Sequence, residues 1–308
     1  MSAVVGPRFG ARLVAAMTEH GPLCVGIDPH PALLAAWGLP DDAGGLRSFA
    51  LTVVEALVGR VAAIKPQAAF FERHGSAGVA VLEEVLAAVT GTGPDAGGEG
   101  GTQVICDAKR GDIGSTMEGY ADAFLRDGAP LACDALTVSP YLGIGSLAPA
   151  FEAAGDTGRG LFVLALTSNP EGAEVQHART VTPPSGGPLA APPGTSVAGA
   201  VAAAVGRLNA AELERSAGAL GSTGLVVGAT VAQAALDLGI DLAAVRGPLL
   251  APGVGAQGAG RAELAAFGDA RSAVLASTSR AVLSAGPDVG ALRAAARRAA
   301  DDAASSLR

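Results

Sequence analysis

The sequence predicts an α/β protein whose single domain is a (β/α)8 barrel, and three observations predict it. Short runs rich in Val, Ile and Leu recur along the chain. Each gives way to a turn containing Gly, Pro or Asp, and most of these turns lead into a segment with helical periodicity. Eight such runs can be counted, at residues 23–28, 62–67, 103–109, 135–139, 161–168, 224–230, 248–253 and 273–277. Near-continuous apolar runs of this kind suit parallel strands covered on both faces. A length of 308 residues lies within the range that one such barrel occupies.

The intervening segments follow in order. After the first run, Val53, Val54, Leu57, Val58 and Val61 fall on one helical stripe. After the second, Val81, Leu82, Val85, Leu86 and Val89 do the same, and both stripes read as outer-ring helices. Two segments break the rhythm. Residues 91–102 are nearly all Gly and small polar residues, and residues 173–197 are crowded with Pro and Gly from 181 to 196. Both read as loop insertions. Neither separates two complete sets of strands, so no domain boundary is needed.

Composition excludes several classes of function. Hydrophobic residues make up 49% of the chain and charged ones 16%, which suits a compact domain with a large core. The net charge of -8, without a long basic run, leaves no footprint for nucleic acid. The apolar stretches are Ala-rich and broken by Gly or charge before the ~18 residues that a membrane span needs. Arg8, Arg12 and Glu19 interrupt the N-terminal region where a signal peptide would be apolar, so a cytoplasmic protein is expected. Cys24, Cys106 and Cys133 lack C-x-x-C spacing and read as buried thiols. His20, His30, His74 and His177 have no metal-ligand spacing, and only His30, close to Asp28, stands near candidate chemistry. Trp37, Tyr120 and Phe124 read as packing residues, the last two being four apart on one helical face.

In a barrel of this kind the reactive groups stand where the strands end at the C-terminal face. The first run ends in Asp28, the second in Lys65 and Gln67, and the third in Asp107, Lys109, Arg110 and Asp112. Asp107 and Lys109 are two apart on a predicted strand and so point to the same side. An ammonium held among carboxylates stays protonated and positioned, as a general acid requires. A structural ion-pair network at the barrel rim is the alternative, and it stays open on spacing alone, although burying several charges for stability is costly. Gly253-Val-Gly255-Ala-Gln257-Gly258 fits the dinucleotide pattern G-x-G-x-x-G, but it lies near the end of the chain, and no acidic residue ends a following strand about 20 residues on. Loops after the seventh and eighth strands of a barrel commonly bind phosphate through glycine amides, and Arg280 would add a bidentate charge there.

Asp107-Ala-Lys109-Arg-Gly-Asp112, continuing through Ile113 to Thr116, resembles the D-x-K-x-x-D motif of the orotidine 5'-phosphate decarboxylase superfamily. The resemblance spans nearly the whole chain. It takes in Gly26-Ile-Asp28, Lys65, Thr167-Ser168-Asn-Pro170, Pro252 to Gly258 and Arg280, and looks like the bacterial branch with longer insertions (type 2). It implies a decarboxylase of pyrimidine biosynthesis that converts orotidine 5'-phosphate to UMP and CO2 without a cofactor or metal. In that reading Lys109 protonates C6 and Asp107 sits beside the departing carboxylate. Asp28 and Lys65 hold ribose hydroxyls, Ser168 and Gln257 contact the pyrimidine, and Gln257 and Arg280 meet the phosphate. The resemblance also implies a homodimer in which Asp112, Ile113 and Thr116 reach the neighbouring site. Ser279 stands where much of the family has Gly. The nearest rival, similar to 3-keto-L-gulonate 6-phosphate decarboxylase, uses Mg2+ held by a Glu near the end of strand two, where this chain has Lys65. A non-catalytic phosphate sensor on the same scaffold is the second rival.

Overall fold

The computed structural model describes residues 6–90, 101–181, 189, 191–254 and 260–308. Eight parallel strands close into a barrel in chain order, with the last pairing back onto the first. They are β1 (Leu23–Ile27), β2 (Ala63–Pro66), β3 (Gln103–Arg110), β4 (Ala135–Val138), β5 (Gly160–Leu166), β6 (Thr223–Val227), β7 (Leu249–Pro252) and β8 (Val274–Thr278). Every predicted run carries a strand. The sixth stops short of its predicted end because the chain turns at Gly228 into a 3-10 segment, Ala229–Val231.

The first helices are α1 (Phe9–His20), α2 (Pro31–Ala36), α3 (Ala43–Leu57), α4 (Ala68–Glu72), α5 (Gly75–Thr90), α6 (Gly114–Leu125) and α7 (Ala148–Thr157). They are followed by α8 (Gly172–Gln176), α9 (Val197–Leu213), α10 (Ala232–Asp237), α11 (Arg261–Ala265), α12 (Arg280–Leu283) and α13 (Val289–Ser306). Both predicted stripes lie on outer helices, but the first is shorter than its periodicity. Helix α3 starts where the Asp42 carboxylate accepts from the Gly45 N–H at 2.8 Å and ends at Leu57. Val58 caps it, and Val61 is buried on the approach to β2 rather than on the helix. Most of the insertion at 91–102, and part of that at 173–197, lies outside the described residues. No helix among the described residues is long and apolar enough to cross a membrane.

Two apolar layers result. The larger packs the outer faces of the strands against the helices, and the smaller fills the barrel itself with residues such as Cys24, Ala63, Ile105, Phe162, Val226 and Leu275. Helix α1 precedes the first strand and closes the barrel bottom by inserting Phe9 and Leu13 into this inner layer. Phe9 meets Phe162 edge to face, with ring centroids 5.9 Å apart. Residue 160 is glycine because a Cβ there would lie 2.1 Å from the Phe9 ring. Beside this plug Arg12 is buried, bonding to Gln103 Oε1 (3.0 Å), to Asp134 Oδ1 (2.8 Å) and to the carbonyls of Pro7 and Gly158. Asp134 gives its other oxygen to the Val104 N–H at 2.9 Å.

All three cysteines are free and buried, although Cys133 lies ahead of β4 rather than within a strand. Burial pushes the Cys24 thiol up to about 12, outweighing the Lys65 charge beside it, so this is a packing residue and not a nucleophile. Trp37 and Phe124 pack in the core, and Tyr120 packs against it.

Candidate active site

The C-terminal ends of the strands surround a cavity of about 270 Å3 lined by residues from both halves of the chain. Six predicted site residues, Asp28, Lys65, Asp107, Lys109, Ser168 and Arg280, line it. At its centre is a carboxylate shared by two ammoniums. Lys65 Nζ donates to Asp107 Oδ2 at 2.7 Å, and Lys109 Nζ donates to Asp107 Oδ1 at 2.6 Å. Burial alone would raise the Asp107 pKa, but the two lysines outweigh it and hold the carboxyl at about 2. Burial also opposes the charge of Lys65, yet Asp107 and then Asp28 outweigh that and keep its pKa above the ordinary lysine value. The carboxylate is therefore ionised, and Lys65 charged, across the neutral range.

Regular strand alternation is not what brings Asp107 and Lys109 together, and here the sequence-based geometry needs correction. The pairing of β3 with β4 slips between Cys106 and Arg110, so that more residues of β3 than of β4 fill the interval. Lys109 takes a left-handed backbone conformation, with φ 48°. The Thr137 hydroxyl occupies the gap, accepting from the Lys109 N–H at 2.9 Å and donating to Asp107 Oδ1 at 2.9 Å. Thr137 is a site residue that the sequence reading missed. Its signal was a hydroxyl in the middle of the run 135–139, two residues before the terminal Ser139, and it lines the same cavity as Asp107 and Lys109 on the adjacent strand.

The remaining residues divide. Gln67 Oε1 lies 3.5 Å from Lys109 Nζ, at the limit of a hydrogen bond. His30 lines the cavity and packs against the Phe70 ring. Asp112, Ile113 and Thr116 do not line this chain's own cavity. Asp112 Oδ1 accepts from the Ile113 N–H at 2.8 Å, Ile113 is 62% exposed, and Thr116 borders a separate groove beside Glu72, Arg110 and Tyr120. Gln257 and its loop, residues 255–259, lie outside the described residues, whereas Gly253 and Val254 reach the cavity edge. Arg110 does not enter the cavity. It pairs with Glu72 and lies over the rings of Tyr120 and Phe124.

A barrel with paired ammoniums around one ionised carboxylate, and an arginine after its last strand, is built as an enzyme for an anionic substrate. The family model described as Orotidine 5'-phosphate decarboxylase / HUMPS family matches residues 21–185. A Salinispora arenicola protein named orotidine 5'-phosphate decarboxylase is 56% identical over 300 residues, covering 97% of this chain and 98% of its own. One of the same name from Streptomyces coelicolor is 55% identical over 292 residues, covering 94% and 95%. A crystal structure of a protein from Streptomyces avermitilis superposes with a TM-score of 0.86 at 52% identity, covering 100% of this chain and 98% of its own. The chain belongs to the orotidine 5'-phosphate decarboxylase / HUMPS family and is a carboxy-lyase.

Proposed function

We propose that the chain converts orotidine 5'-phosphate to UMP and CO2 without metal or organic cofactor, with Lys109 as the proton donor to C6. The observation that carries this reading is the Lys65–Asp107–Lys109 array at the cavity floor. Relatives about 55% identical over nearly their whole length carry the name of this activity, which supports the substrate. Lys65 at the end of β2 separates the chain from the Mg2+-dependent rival, because its ammonium, already paired to Asp107, opposes a divalent cation there.

The chemistry follows from the array. The C6–carboxylate bond breaks, CO2 departs, and the electron pair stays on C6. Lys109, held within 2.6 Å of Asp107, stabilises that pair and transfers a proton from Nζ to C6, then regains one from water. Asp107 lies beside the departing carboxylate and keeps both lysines aimed. Asp28 and Lys65 hold the ribose hydroxyls, and Ser168 and Gln257 contact the pyrimidine. Arg280, with Gln257, meets the phosphate. Binding energy from that remote phosphate is then available to the transition state.

A homodimer completes the site in this reading, with Asp112, Ile113 and Thr116 reaching the partner's cavity. The exposed apolar side chains Ile113, Tyr141 (76% exposed) and Leu142 (54%), which stand on the loops after β3 and β4 where a partner would cover them, support it. Three free thiols fit a reducing, cytoplasmic setting. The test is the fall in orotidine 5'-phosphate absorbance with purified protein in excess EDTA. Rapid conversion to UMP is expected; no turnover, or turnover of keto sugar phosphates only once Mg2+ is restored, overturns the reading. Mixing Lys109→Ala with Asp112→Ala chains should restore activity if sites are shared, and no recovery rejects the shared site.

A further inference from the structure

Ser279 occupies the junction between β8 and α12, immediately before Arg280. As residue before the first helical turn it could cap α12 with its hydroxyl, but it makes no such bond. The hydroxyl instead donates to Asp28 Oδ2 at 2.5 Å, across the β8–β1 seam where the barrel closes. Room for that bond depends on β1. A Cβ at Gly26 would fall 2.1 Å from Ser279 Oγ, so glycine at 26 and serine at 279 are two halves of one arrangement. Asp28 Oδ1 is buried yet has no hydrogen-bond partner, and Asp28 lines the cavity. Lys65 lies close enough to Asp28 to feel its charge.

We infer that Ser279 is a positioning residue: it fixes the Asp28 carboxylate by one oxygen so that the other is presented to a ribose hydroxyl of the substrate. The inference rests on the reading of Asp28 as the ribose acceptor. A carboxylate with both oxygens free beside the Lys65 ammonium turns to share them with it, and Ser279 prevents that by engaging Oδ2. The same turn carries Arg280, so one short segment sets the spacing between the acceptor for the sugar and the cation for the phosphate.

The test measures kcat/KM for orotidine 5'-phosphate and for its 2'-deoxy and 3'-deoxy analogues. The parent, Ser279→Ala, Gly26→Ala and Asp28→Ala proteins are compared, with thermal melts run alongside. In the parent, loss of the recognised hydroxyl should lower kcat/KM by about tenfold or more, as expected of a hydrogen bond to a charged group. Ser279→Ala should shrink that ratio to within about threefold of unity. Gly26→Ala, which keeps the serine but drives a methyl into its hydroxyl, should do the same, and it carries the test if Ser279→Ala fails to fold. A residue that merely held the fold together would lower kcat/KM for all three substrates alike and leave the ratio untouched. If Asp28→Ala abolishes the ratio while both other variants retain it, Ser279 does not position Asp28, and this inference fails while the Asp28 reading stands. If Asp28→Ala itself retains the ratio, the Asp28 reading fails and takes this inference with it.

Discussion

At the closed end of the barrel Arg12 meets Asp134, Gln103 and two carbonyls, and 10% of its side chain is exposed; at the open end Lys109 meets Asp107 and keeps 43% of its side chain exposed. Both clusters place charge in a largely apolar barrel, and both have a carboxylate at their centre. The lower one consumes its donors within the protein, so its effect is confined to joining α1, β3 and the chain ahead of β4 and of β5. The upper one gives its carboxylate three donors, Lys65, Lys109 and Thr137, but leaves the Lys109 ammonium with N–H groups free to turn to a substrate. Buried charge therefore does not mark a reactive site by itself. What marks it is a donor that the fold holds in place without using up.

Predictions follow that contrast, from the largest effect to the smallest. Lys109→Ala should lower kcat by at least about 10^3-fold, because it removes both the proton donor and the charge facing C6. Its melting temperature should stay within a few degrees of the parent's, and activity near the parent's would show that the donor lies elsewhere. Arg12→Ala should do the reverse. Leaving Asp134 buried and unpaired costs about 3–5 kcal/mol of stability by denaturant titration, while kcat of the folded fraction stays close to the parent's.

Acid should separate the clusters further. Asp107 has a folded pKa of about 2, against ~3.9 in an unfolded chain. A depressed carboxylate stabilises the fold above the unfolded value, and that contribution is lost as pH falls from about 4 through about 2. The stability gap between the parent and Asp107→Asn should narrow by about 2 kcal/mol over that interval; a gap constant with pH would show that Asp107 is not the group titrating. The smallest change is Thr137→Val, which keeps the shape but removes the hydroxyl shared by Asp107 and the Lys109 N–H. It should cost about 1–2 kcal/mol of stability and lower kcat by roughly tenfold, and an unchanged kcat would show that the strand slip holds Lys109 without it.

The same contrast governs what the sequence revealed. Strands that must be apolar on both faces are visible as runs, and charges that interrupt such runs at their ends are visible because burial there needs a reason. Lys65, Asp107 and Lys109 were legible for that cause. Helix α1 was not, since its Ala-rich stretch resembles any amphipathic segment and its role as a plug depends on contacts with β5 and on Gly160, far along the chain. The slip in β3 was also hidden, because alternation predicts the right neighbours for the wrong reason. Ser279 was legible only as a departure from a family pattern; its bond to Asp28 exists only once the barrel has closed.

The left-handed backbone at Lys109 has a consequence for anyone evolving this protein in the laboratory. A side chain at φ 48° is held against its own preference, at a cost on the order of 1 kcal/mol that glycine would not incur. Lys109→Gly would relieve that strain while giving up the ion pair with Asp107, so it should melt closer to the parent than Lys109→Ala does and still turn over nothing. Selection on this scaffold has to read product and temperature together.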